Sequence, residues 1–284
     1  TGLRAMGLLL IGYAGLIVLG SIPRPLSLGA ASLFVTRSAL RFVPGVLIGY
    51  LIMIAAWPWA SLAPLNPLRA IFSFAHFHYE IRTIVAGDIY RMADVPWWYV
   101  PFYLAIKVPM AIYAGALCAL GALLWSIRSH GLSQLSRRHV ETAFVAFVAI
   151  FPVLCEAVLE GPAFTGMRHF LFVVPPLAVL AGIGFDAVLG VLSPRRWFES
   201  IAAAALMLVF GWNASVLVRL HPYEYMFYNP LVGGLEGASR RYVMDYWVNV
   251  MPEAVRALQD YLELARETSP RVYSVGVCGE KFSF

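Results

Sequence analysis

Charge is scarce in this chain. Charged residues make up 13% of its 284 positions, where an ordinary soluble domain carries about 25%. Too few charges are present to solvate the surface of a soluble domain of this length. Cysteine is scarcer still, at three residues. Cys118 and Cys155 fall inside apolar runs and Cys278 near the end, which excludes a disulfide framework or a ladder of metal ligands. No P-loop, GxGxxG or GxSxG stretch occurs, so a nucleotide-fuelled engine and a serine hydrolase have no support. Glu156 and Asp186 lie close to the ends of apolar runs, and the chain of buried acids or histidines expected of a proton-driven pump is not formed. Internal repeats and low-complexity tracts are also lacking. The net charge of +5 is spread between apolar runs rather than gathered into a patch, which argues against a nucleic-acid partner.

Hydrophobic residues fill the space that charge leaves, at 60%. Six segments approach the roughly 20 apolar residues that cross a bilayer: 4–22, 40–57, 98–127, 140–159, 170–192 and 200–218. The third is long for one helix, and Pro109 marks a bend within it. Arginines concentrate in the loops 23–39, 128–139 and 193–199. Excess Lys/Arg marks the cytoplasmic side, and these loops share a side only if 98–127 crosses once. The fold class expected is an all-α polytopic membrane protein of about six transmembrane helices. Residues 1–218 form the membrane domain, with an external loop at 58–97. Residues 219–284 form an external, periplasmic C-terminal region that begins a small α/β unit. There PEAVRALQDYLELAR reads as a helix with Pro252 in its first turn, and RVYSVGV as a strand. In the 58–97 loop, PLRAIFSFAHFHYEIRTIV reads as an amphipathic helix on the membrane surface. The first residues, TGLRAMG, lack an initiator Met, and the chain stops just after the expected strand. A fragment cut at both ends is expected.

Four stretches carry candidate chemistry, each beside a plainer reading. DVPWWYVPFYLAIKVP places Trp97, Trp98 and Tyr99 at a span end, where they serve as an interfacial belt or as the wall of a cavity. Lys107 lies inside the same run. A cation at that depth snorkels to the surface or faces a partner such as a lipid phosphate. HFHYEIR sets His78 and Arg82 four apart on one helix face. His76, His78, Glu80 and Asp88 match no strong zinc spacing; a solvated loop face is the plainer reading, and Arg82 as an anion contact the sharper one. GMRHFLFVVPPLAVLAG puts Arg168 and His169 at the outer end of a span, against the positive-inside preference, as anion ligands or as interfacial anchors. Pro175 and Pro176 are expected to bend that span. GGLEGASRRYVMDYW sets Asp245 beside Tyr246 and Trp247, a pairing that binds a sugar or locks the tail onto the membrane domain.

Taken in order, WPW at 57–59, DVPWWYVPFYLAIKVP, GMRHFLFVVPPLAVLAG and HPYEYMFYNPLVGGLEGASRRYVMDYW resemble bacterial membrane glycosyltransferases of the GT-C fold. The branch is glycosyltransferase family 39, with its dolichyl-phosphate-mannose–protein mannosyltransferases and lipid A aminoarabinose transferases. The resemblance covers most of residues 57–250. It implies an enzyme of the bacterial inner (plasma) membrane that moves a sugar from a polyprenyl-phosphate carrier to an extracytoplasmic protein, lipid or glycan. It also implies an acidic catalytic residue in the first external loop, a loop with no counterpart here; that residue is expected upstream of Thr1, and no catalytic residue is assigned within the chain. Arg168, Arg82 and Lys107 become candidate phosphate contacts. Trp97, Trp98 and Tyr99 become cavity walls, and His78, His169 and Asp245 further substrate contacts. No metal site is assigned, and a divalent metal is left open as a cofactor. The competing reading is a secondary transporter or lipid flippase, which would show inverted repeats and broken helices.

Overall fold

The computed structural model describes residues 7–22, 28–63, 65–66, 69, 82–92, 94–131, 134–159, 165–245 and 249–264. It is mostly helical and divides into two compact units, 1–78 and 79–284. Five of its helices are long and apolar enough to cross a membrane, and a shorter apolar helix lies near the N-terminus. The expectation of a polytopic helical protein therefore stands in its coarse form. The surface-helix residues 70–81, the strand expected over RVYSVGV and the pair Tyr246 and Trp247 lie outside the described residues.

The first unit contains α1 (Gly7–Gly20), α2 (Leu28–Ala56) and α3 (Pro58–Leu62). The arginine-bearing loop expected at 23–39 is helical from Leu28 onward, so Arg37 and Arg41 stand within α2. The reason is local. From Ala30 to Val43 the chain has neither glycine nor proline, and nothing in it stops a helix. The apolar side chains of α2 are uncovered, as lipid-facing side chains are.

The second unit opens with a hairpin of β1 (Arg82–Val85) and β2 (Asp88–Arg91), with Ile84 opposite Ile89. This corrects the helix expected through Val85. Thr83, Ile84 and Val85 are β-branched and favour a strand. Ala86 and Gly87 both take positive φ, 53° and 98°, the two-residue turn that matches strand twist. The helices then follow: α4 (Tyr99–Lys107), α5 (Met110–His130), α6 (Arg137–Leu159), α7 (Val174–Leu192) and α8 (Arg196–Leu220). The tail adds short 3-10 turns, the short α9 (Gly234–Ala238) and α10 (Met251–Leu264). The helix read from PEAVRALQDYLELAR is therefore present as α10.

Proline placement explains one expected break and one departure. The run 98–127 is broken between α4 and α5, where Val108 is extended and Pro109 caps α5. Proline cannot supply the N–H that would continue α4. Pro175 and Pro176, expected to bend a span, instead occupy the first turn of α7, where a missing N–H costs no helical bond. A 3-10 turn, Arg168–Val173, leads into that helix.

The bundle's tightest seam joins α5 to α7. A Cβ on Gly184 would stand 1.9 Å from the Gly115 carbonyl oxygen, and one on Gly115 would stand 2.7 Å from the Ala181 Cα. Backbones approach this closely only where side chains are absent, the usual means of packing helices in lipid. Leu180, Ala116, Ala119, Ala146 and Ala149 close the core beside this seam. At the arginine-bearing end, Arg138 of α6 pairs with Asp186 of α7. Gly184→Leu should force the backbones apart and cost at least about 1–3 kcal/mol, the usual penalty of overpacking. Thermal unfolding in detergent should show a lowered Tm for Gly184→Leu and little change for Gly182→Leu, where a Cβ meets nothing within 4 Å.

Candidate functional site

The site is built around α4. Tyr99 and Tyr103 stand four residues apart, so they share one helix face, and their rings lie 4.8 Å apart. Both are buried, at 1% and 0% exposure, and both hydroxyls find partners, as buried phenols must. The Tyr99 hydroxyl bonds with Thr83 Oγ1 at 2.9 Å and accepts the Gly166 N–H at 2.8 Å. Tyr103 donates to the Ile84 carbonyl at 2.6 Å and accepts the Val243 N–H at 3.2 Å. One helix face thus holds the hairpin, the loop before Arg168 and the tail in a single frame. Burial pushes both phenols above their ordinary pKa, so they act as neutral structural bonds.

The C-terminus of α4 has a defect that Pro109 creates. Without an N–H at position 109, the Ala105 carbonyl loses its helical partner. Asn229 supplies it. Its side-chain amide donates to the carbonyls of Ala105 at 2.7 Å and Val108 at 2.9 Å, and its backbone N–H donates to the Ile106 carbonyl at 2.9 Å. The Asn229 side-chain oxygen accepts the Leu231 N–H at 3.1 Å. Asn229 is fully buried, and each polar atom of its side chain is used.

Lys107 is the last residue of α4, where exposed carbonyls favour a cation. Its ammonium donates to the Tyr225 carbonyl at 2.8 Å and sits 3.6 Å above the centre of the Tyr228 ring. Tyr228 is fixed in turn, donating to the Val243 carbonyl at 2.6 Å. α4 lies outside the five spans, and burial of the ammonium lowers its pKa from 10.5 to about 8. The cation is held by a carbonyl dipole and a ring face. Neither partner neutralises its charge.

A cavity of about 420 Å³ opens between Lys107, the turn at Arg168 and the tail at 224–249, within the size range of small-molecule sites. Lys107, Arg168, Glu224 and Asp245 all line it, together with apolar side chains including Leu171, Phe227 and Met244. Met167 precedes the turn that carries Arg168 and gives it no side-chain cap. The carboxylates are held in place. Glu224 accepts from His221 Nδ1 at 2.6 Å, and that bond holds its carboxyl below the usual range. Asp245 Oδ1 accepts the Tyr225 hydroxyl and the Asn249 N–H, each at 3.3 Å.

No protein-family model, curated protein or solved structure matches this chain. The site therefore rests on its own geometry. Of the residues singled out in the sequence, Lys107, Arg168 and Asp245 converge on the cavity, from three separate stretches. Tyr99 sits in the core, one helical turn from cavity-lining Tyr103. Trp98 packs edge-on against Phe102 at 5.6 Å, and Trp97 is 64% exposed. Arg82 stands opposite Arg91 at the open end of the hairpin. His169 follows Arg168 in the 3-10 turn, and neither Arg82 nor His169 is among the described lining residues. His78 lies outside the described residues. Among the described residues, no group of three or more His, Cys, Asp or Glu side chains is arranged to hold a metal.

Asn229, Glu224, Tyr225 and Tyr228 escaped the sequence reading. A signal for Asn229 does exist: the carbonyl orphaned by Pro109 requires a buried donor, and Asn-Pro at 229–230 is a compact source. Asn229→Ala should leave the carbonyls of Ala105 and Val108 without these donors. At about 1–3 kcal/mol for each of these two groups, the expected loss is about 2–6 kcal/mol. Thermal unfolding should show it as a lowered Tm, and Asn229→Asp, which lacks the amide donors, should behave the same way.

Proposed function

We propose that this chain forms the lipid-phosphate-binding core of a membrane glycosyltransferase. Its reaction moves a sugar from a polyprenyl-phosphate carrier to an acceptor hydroxyl on the outer side of a bacterial inner membrane. The observation that carries this reading is the meeting of Lys107 and Arg168 in one largely apolar cavity beside two fixed carboxylates. An apolar cavity with two cations suits an anionic headgroup on a hydrocarbon chain. The order of the glycosyltransferase-like stretches supports the same reading, since the lysine, arginine and aspartate of three of them converge.

In such a reaction the acceptor oxygen bonds to the anomeric carbon. The bond from that carbon to the phosphate oxygen breaks, and its electron pair leaves with the phosphate. The acceptor's proton passes to a base. Negative charge grows on the leaving phosphate, and preorganised cations stabilise it most where water is excluded. Arg168 presents a planar fork of donors to the phosphate oxygens. Lys107, already positioned by Tyr225 and Tyr228, supplies a point charge. Its carbonyl and ring partners need not be displaced for its field to act.

Arg168→Ala in the full-length protein, reconstituted in membranes, should cut transfer from labelled polyprenyl-phosphate sugars by a hundredfold or more and weaken carrier binding. Wild-type transfer together with wild-type carrier affinity would remove Arg168 from the phosphate site.

The Lys107 ammonium gives the site a pH signature. Its charge is present below about pH 8 and lost above it, whereas a phosphodiester keeps one negative charge throughout. Affinity for a polyprenyl phosphodiester should be flat below pH 8. Above it, affinity should fall by as much as about tenfold per pH unit, because binding must then take up a proton. Lys107→Arg, which stays charged, should flatten the profile. A titration of binding from pH 6.5 to 10 checks both.

A further inference from the structure

One residue of the cavity bonds both a cation and a carboxylate. Tyr225 offers its backbone carbonyl to the Lys107 ammonium at 2.8 Å. Its hydroxyl, at the other end of the side chain, donates to Asp245 at 3.3 Å. Its ring lies between, lines the cavity and is partly exposed. A single tyrosine therefore touches both the cation and the carboxylate. Asp245 is held by Tyr225 and by the Asn249 backbone, and Asn249 also lines the cavity.

We infer that Tyr225, Asp245 and Asn249 form the subsite for the sugar ring of the carrier-linked donor, with the phosphate at Lys107 and a ring hydroxyl far from the anomeric carbon at Asp245. The inference rests on the glycosyltransferase reading and adds to it the position of the sugar. The chemistry at each point suits that cargo. A carboxylate accepts from hydroxyls, an amide both donates and accepts, and a partly exposed aromatic ring offers a flat surface to the C–H face of a pyranose. From phosphate oxygen to a distal ring hydroxyl, a sugar phosphate is comparable in length to the tyrosine that touches both charges. Polar groups fixed before the ligand arrives need no reordering when it binds. A hydroxyl-matched site also discriminates strongly against a ligand that lacks the hydroxyl, because the fixed carboxylate is then left without it.

The test uses the full-length protein in lipid nanodiscs and two probes, a short-chain polyprenyl phosphate without sugar and the same lipid carrying mannose or glucose. Wild type should bind a sugar-bearing lipid at least tenfold more tightly than the sugar-free one. Asp245→Asn and Asn249→Ala should each abolish most of that difference. Both should leave affinity for the sugar-free lipid unchanged, or slightly tighter in Asp245→Asn, where a negative charge elsewhere in the cavity is removed. Tyr225→Phe, which keeps the ring and loses the hydroxyl, should reduce the difference partly. Equal weakening of both probes in Asp245→Asn and Asn249→Ala would overturn the subsite, since these residues would then only hold the fold. Wild-type binding of the sugar-free lipid with no gain from either sugar would overturn the subsite and leave the phosphate reading standing. Failure of wild type to bind any of these lipids would overturn both.

Discussion

The cavity depends on how one broken helix is finished. Pro109 ends α4 by withholding a donor from the Ala105 carbonyl, and Asn229, 124 residues beyond Ala105, supplies it. That repair does more than satisfy a carbonyl. It fixes the end of α4 against the segment 224–232, so that Lys107 arrives under the Tyr225 carbonyl and over the Tyr228 ring. Four residues of the stretch 224–229 thereby serve the same point: Glu224 lines the cavity, Tyr225 and Tyr228 hold the cation, and Asn229 holds the helix that carries it. A charge placed in a poorly solvated setting costs stability unless something receives it. Here the groups that receive the ammonium are dipolar rather than ionic.

The tyrosines of the frame divide two tasks that are often confused. Tyr99 and Tyr103 are buried and fully bonded, and they join the hairpin, the Arg168 loop and the tail. Tyr225 is partly exposed and faces the space where chemistry is proposed. Burial separates them more clearly than residue type does. The aromatic crowd at 97–99 illustrates this. Its exposed member, Trp97, and its buried member, Tyr99, lie two positions apart and do unrelated work.

The long apolar helices and the Pro109 break were legible because they follow from local physics. Apolar length predicts a crossing, and a missing N–H predicts a stop. The hairpin at 82–91 was hidden because helical spacing upstream was extended through three β-branched residues. Those residues, followed by a turn with two positive φ angles, carry the stronger signal. The start of α2 was missed because arginines were read as loop residues, although two of them four apart can ride on a continuous helix. At the site, Lys107, Arg168 and Asp245 stood out as charges in apolar or external surroundings. Their convergence was not legible, since it depends on long-range bonds from Asn229 and Tyr103. Trp98 and Tyr99 stood out by composition alone, which does not distinguish a cavity wall from a core.

The hairpin tip touches the tail through one backbone bond, from the Gly87 N–H to the Arg241 carbonyl at 3.0 Å. Four residues later the tail delivers Asp245 to the cavity. The hairpin is thus an adjustable strut. Lengthening it, or recasting its two-residue turn, would tilt the approach of the 241–245 segment without altering any lining residue. Remodelling a surface loop would then reshape the cavity while the inventory of lining side chains stayed constant.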